Sequence, residues 1–198
     1  MSDKGITPPS GAMQLSQGQV EAWTKVSFAQ PWLRDTVMES KQEGPDHRRR
    51  EIVFAVCFAE SYLFEVVRDL VLFDDFRESI RYFPVGRKLG IKDRCKEVFA
   101  QLHDHHKIKS AMNWSEPFWP VFCRLVDMRD GLVHASISRP NNNNLPPKEK
   151  PIPSPEDFYR LSQGWALKAA LDLVRAMHDA MRIDLPRWIA DPDLLLTH

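Results

Sequence analysis

Arg129, Asp130 and His134 are the residues of this chain whose types and spacing carry chemistry. The stretch from Pro117 to Ala135 that holds them reads as a helix. Ser115 is placed as its N-cap, Glu116 follows, and Pro117 falls in the first turn, where a missing N–H costs nothing. At about 100° per residue, Phe118, Val121, Phe122, Leu125, Val126, Met128, Leu132 and Val133 share one broad apolar arc. Arg129 projects from near the middle of that arc, and His134 lies at its edge, on the side of Asp127 and Asp130. Burying an unpaired guanidinium is costly, so Arg129 needs a carboxylate, a phosphate or a wet cleft. A side chain that snorkels to water meets the same need. An imidazole titrates near neutral pH and can pass a proton.

The run Arg129-Asp130-Gly131-Leu132-Val133-His134 resembles the motif of the HEPN superfamily, in which an Arg followed by a polar residue precedes a His by a few positions near a helix end. Here four residues separate the two, and Asp130 stands where Asn is common. The resemblance implies an all-helical, metal-independent endoribonuclease, often a toxin or phage-defence effector and often dimeric. It implies His134 as general acid or base toward a ribose 2′-hydroxyl or 5′-oxygen. Arg129 then stabilises the phosphorane-like transition state, and Asp130 orients His134 or caps the local backbone. RNA is the implied substrate, a homodimer the implied assembly, and an antitoxin or regulatory protein a further partner. The competing class is a non-catalytic HEPN-like module that binds a nucleotide or a protein.

Elements that must position this motif follow from periodicity. A long helix is expected from Asp46 towards Phe73, with Ile52, Val53, Val56, Ala59, Leu63, Val66, Val67 and Leu70 inward and Ser61, Glu65, Arg68 and Asp69 on the wet face. Glu60 projects among its apolar residues, either bending to solvent or supporting Arg129 as a buried partner. His47-Arg48-Arg49-Arg50 opens this helix against the dipole, as a phosphate-contacting patch or a solvated basic turn. Further helices are expected over Asp74 to Tyr82 and Lys92 to His103, the latter with Cys95, Val98, Phe99 and Leu102 on one face. Between Arg87 and Lys109 seven Lys or Arg face three acids, so Arg87, Lys88, Lys92 and Arg94 are the candidate RNA-backbone contacts.

His103-Asp104-His105-His106 offers donors that suit zinc. Adjacent histidines point different ways and no Cys or His pattern of metal spacing accompanies them, so a polar helix end is the reading, without metal or cofactor.

Pro and Asn density over Ser136 to Ser154, including Asn141 to Asn144, predicts a mobile loop that either lines the site or merely connects. One helix is expected from Ser154 or Pro155 to Ile183, with Lys168, Asp172, Arg175, Asp179 and Arg182 as a charged stripe opposite Phe158, Leu161, Trp165, Ala169 and Leu173. At the N-terminus Pro31 is expected to break between two short helices. The organisation is thus an arm at 1–45, an all-α up-and-down bundle of four to five helices at 46–184, and a tail at 185–198.

Composition sets the outer bounds. The 198 residues carry 27 basic and 27 acidic side chains, so global charge does not announce a nucleic-acid binder. Cys57, Cys95 and Cys123 read as reduced thiols of a cytoplasmic protein. No signal-type or membrane-spanning segment is expected.

Overall fold

Proline is preorganised for a first helical turn, and Pro45 opens the longest helix of the computed structural model, which describes residues 27–71, 89–134 and 155–197, with backbone alone at 69–71, 134 and 155. In chain order the helices are α1 (Ala29–Ser40), α2 (Pro45–Val71), α3 (Ile91–Asp104), α4 (Phe118–His134), α5 (Pro155–Tyr159), α6 (Trp165–Met181) and α7 (Arg187–Ala190). A 3-10 turn, Pro192–Leu196, follows, and the described residues contain no strand. The helix expected over Asp74 to Tyr82 and the loop over Ser136 to Ser154, Asn141 to Asn144 included, lie outside the described residues.

α2 is the central element, packing on α1, α4, α6 and α3. Phe58, Leu63, Phe99, Phe122, Leu125, Leu173 and Met177 fill the core between them with almost no exposure. Along α2 a stripe at three- and four-residue steps runs Glu51, Ala55, Phe58, Tyr62, Glu65, all buried. Its two ends are carboxylates that cap other helices. Glu51, 1% exposed, accepts hydrogen bonds from the amides of Ala166 and Leu167 at 3.1 Å, at the N-terminus of α6. Glu65, 6% exposed, accepts from the amides of Phe28 and Ala29 and from the Ser27 hydroxyl, at the N-terminus of α1. Neither α1 nor α6 has a side-chain cap from its own N-cap residue, Phe28 and Gly164. A carboxylate there satisfies orphan N–H groups and meets the positive end of the helix dipole. The wet-face placement of Glu65 is therefore overturned.

Two further expectations change. The single last helix is interrupted: α5 ends at Tyr159, and Gly164 takes a left-handed φ of 73° before α6. That break leaves the α6 amides open to Glu51. Pro31 does not break α1 but sits in its first turn, where no intrahelical N–H is required. α1 buries Leu33, Thr36 and Val37, so residues 29–40 belong to the common core rather than to an arm. The C-terminal segment folds back, burying Ile189, setting Trp188 edge-on to Tyr62 at 5.9 Å and pairing Asp193 with Lys41 at 2.9 Å.

α4 is fixed in place by its approach. Asn113 accepts the Ser115 amide at 3.1 Å and donates to Glu116 at 2.9 Å, so the polar grip before α4 comes from Asn113 and not from a Ser115 side-chain cap. Trp114 stacks edge-on to Trp119 at 4.5 Å and meets Phe99 of α3 at 6.3 Å. These rings anchor the connection between α3 and α4. No helix among the described residues is long and apolar enough to cross a membrane.

Candidate functional site

The motif residues occupy the C-terminal part of α4, where α2, α3 and α4 meet pairwise. Upstream of them Phe122, Leu125, Val126 and Met128 are buried as the apolar arc requires, whereas Val121 and Val133 are exposed. Arg129 is 25% exposed, consistent with its position inside the arc. Its Nε lies 3.0 Å from Asp130 Oδ1. That contact is electrostatic only, because Nε is buried yet makes no hydrogen bond. The guanidinium is held beside one carboxylate without being saturated; its Nε is buried, so a second oxyanion can reach only the exposed part of its head.

His134 is the last described residue of α4; its side chain lies outside the described residues. On a regular helix the fifth residue after Arg129 is turned by about 140° and raised by about 7.5 Å, whereas the fourth after Asp130 returns to nearly the same face.

On α2, Cys57 and Glu60 share a face at a spacing of three residues. Burial pushes the Cys57 thiol above its ordinary value; the nearby Arg129 cation pulls it down and the Glu60 carboxylate raises it. Cys57 thus sits within the fields of both residues, a neighbourhood that sequence reasoning missed. Burial also pushes Cys95 up to about 12 and raises Cys123. All three thiols stay protonated at neutral pH and are poor nucleophiles.

Glu60 does not pair with Arg129. Its carboxylate takes Arg94 Nη1 of α3 at 2.7 Å, and Arg94 also donates to the Leu89 carbonyl at 3.2 Å. The reason is helix geometry: Glu60 is 38% exposed, at the rim where α3 passes, and meets the first cation that reaches it. Lys92 pairs with Asp127 of α4 at 2.6 Å. The two described candidates for backbone contact, Lys92 and Arg94, therefore tie α3 to its neighbours. Arg87 and Lys88 lie outside the described residues.

The basic residues that open α2 are paired as well. In the opening turn of α2, Arg48 pairs with Glu51, Arg49 with Asp46, and both His47 and Arg50 with Glu39. Arg49 also lies over the Phe158 ring, Lys96 over Trp119 and Arg124 over Trp165, at 5.2, 5.2 and 5.5 Å. His47, Arg48, Arg49 and Arg50 thus each have a partner within the chain. His103, His105 and His106 are exposed at the end of α3, and among the described residues no group of three or more His, Cys, Asp or Glu side chains is arranged to hold a metal ion.

An open cleft of about 480 Å³ lies between the segment before α4 and the charged face of α6, lined by Met112, Glu116, Phe118, Asp172, Arg175 and Asp179. It sits at the opposite end of α4 from Arg129. Compared with family models, with curated proteins and with solved structures, the chain matches none.

Proposed function

We propose that this chain is an endoribonuclease of HEPN type, acting without a metal ion, on a HEPN-like up-and-down helical bundle. The observation that carries the reading is Arg129: a guanidinium held beside Asp130, partly exposed, five residues before a histidine on the same helix. In this mechanism His134 takes the proton of a ribose 2′-hydroxyl, whose oxygen attacks the adjacent phosphorus. Arg129 offsets the charge gathering on the phosphoryl oxygens. The 5′-oxygen leaves and takes up a proton, giving a 2′,3′-cyclic phosphate and a 5′-hydroxyl. Because Arg129 and His134 diverge by about 140° on one helix, the proposal includes a homodimer whose two motif helices face one cleft. A cytoplasmic toxin or phage-defence effector, restrained by an antitoxin or regulatory protein, is the corresponding role. Cleavage of single-stranded or loop RNA in EDTA, with identification of both product ends, tests it.

A second reading has its own observation. Asp130 keeps a negative charge 3.0 Å from Arg129, where a phosphate needs to approach. That favours a HEPN-like module that binds a nucleotide or a protein without turnover. Binding that persists while no RNA is cut would select it.

A further inference from the structure

Arg94 and Arg129 both stand where α2, α3 and α4 meet. Arg129 of α4 is 25% exposed and keeps Asp130 beside its Nε. Arg94 of α3 is 30% exposed; its Nη1 donates to Glu60 at 2.7 Å and its Nη2 to the Leu89 carbonyl at 3.2 Å. Glu60 relates the two guanidinium groups. It follows Cys57 by three residues on one face of α2, and the Cys57 thiol lies within the fields of both Glu60 and Arg129. Lys92, in the same turn of α3, serves a different side of α4. It holds Asp127 at 2.6 Å, two residues before Arg129 and so about 200° around the helix from it.

The Arg94–Glu60 pair is open to exchange. Both members are about one-third exposed, where an ion pair is worth little and dissolved salt competes with it. Glu60 engages the guanidinium through one oxygen and one nitrogen. A guanidinium carries five N–H donors in one plane, and phosphate oxygens match that fork through two parallel bonds. We propose that Arg94 is a second phosphate-binding residue of the Arg129 site, held ready by Glu60 and released to the backbone of the RNA on the α3 side of the scissile linkage. The assignment rests on the ribonuclease reading above and adds to it a binding residue from another helix and the side from which the strand enters. Glu60 is then a positioning residue, which fixes the guanidinium in the free protein and competes with phosphate for it.

A mere tie between α2 and α3 makes a different prediction for the two halves of the pair, because either substitution would then harm the site alike. The test is kcat/KM for cleavage of a 20-nucleotide single-stranded RNA in EDTA, followed against sodium chloride. Arg94→Gln is expected to lower kcat/KM by about tenfold, as for a lost hydrogen bond to a charged group. It is also expected to flatten the log–log salt slope by about 0.7, the worth of one phosphate contact on a single strand. Arg94→Lys, which keeps the charge but not the fork, is expected to restore the slope and only part of the rate. Glu60→Gln breaks the same ion pair but leaves the cation, so kcat/KM is expected to rise, by about twofold for a pair of this exposure. A salt slope unchanged in Arg94→Gln, or a fall in kcat/KM in Glu60→Gln, overturns the assignment while leaving the ribonuclease reading intact. Failure of the wild-type protein to cut the RNA at any salt concentration overturns both.

Discussion

At Glu60 the question of partnership is settled by which cation lies within reach. Its 2.7 Å contact is with Arg94, and both side chains are about one-third exposed. A partly exposed pair of this kind couples weakly, on the order of 0.5 kcal/mol. In double-mutant cycles read by chemical denaturation, Glu60→Gln with Arg94→Met is expected to be non-additive by about that amount, and Glu60→Gln with Arg129→Met additive. A clear coupling between Glu60 and Arg129 would contradict the assignment. Arg129 meets its own sequence neighbour Asp130 instead, a contact that periodicity does not reveal because adjacent residues on a helix do not face each other. The motif residues were legible by type and spacing. The state of Arg129, paired but with an unbonded donor, depends on the side-chain direction of Asp130 and was not.

Among the elements, α2 does more than contribute apolar surface. Glu51→Ala removes the acceptor for two α6 amides and leaves Arg48 buried without its partner, so a loss of about 3–5 kcal/mol is expected in equilibrium unfolding. Glu65→Ala strips the cap from α1 and is expected to cost about 1–2 kcal/mol. Full stability in both variants would mean that α1 and α6 do not depend on these caps. A second element-scale effect concerns the packing of α2 on α6. Tyr62 donates to His178 Nε2, and His178 Nδ1 donates to the Ile183 carbonyl at 3.2 Å. Burial pushes the His178 pKa below its usual 6.5, against the raising effects of the Ile183 and Asp184 backbone and the Asp179 charge. The unfolded chain therefore binds this proton more readily. The stability His178 supplies is complete above pH 6.5 and declines as pH falls from there toward the lowered value. Glu51 runs the other way: its raised pKa makes the fold gain stability as pH falls toward 4.5. The difference between the melting profiles of wild type and His178→Gln isolates the histidine, with the wild type losing more between pH 7 and 5.5. Parallel profiles would contradict the assignment.

The 3.6-residue period was enough to find α2, α3 and α4, because each has one clear apolar face. It puts Glu65 outside, since a carboxylate counts as polar in any pattern, although Glu65 lies three residues after Tyr62 and seven after Phe58, on the same buried stripe. The break before α6 is hidden for the opposite reason: the apolar spacing of Phe158, Leu161 and Trp165 continues across the non-helical residues 160–164, which end on the left-handed Gly164.

For the molecule as a whole, two properties bear on the proposed activity. The first is assembly. Light scattering at micromolar concentration is expected to give twice the 23.0 kDa chain mass, and a monomer at every concentration would contradict the two-helix cleft. The second is the catalysis itself, which one measurement addresses most directly: the initial rate of single-stranded RNA cleavage in EDTA by wild-type and His134→Ala proteins of matched melting temperature. The account predicts cleavage by the wild type leaving 2′,3′-cyclic phosphate and 5′-hydroxyl ends, and a loss of about 10²–10⁴ in the variant, the usual worth of a proton-transfer group. A His134→Ala protein that cuts at the wild-type rate, or cleavage that EDTA abolishes and zinc or manganese restores, would contradict it.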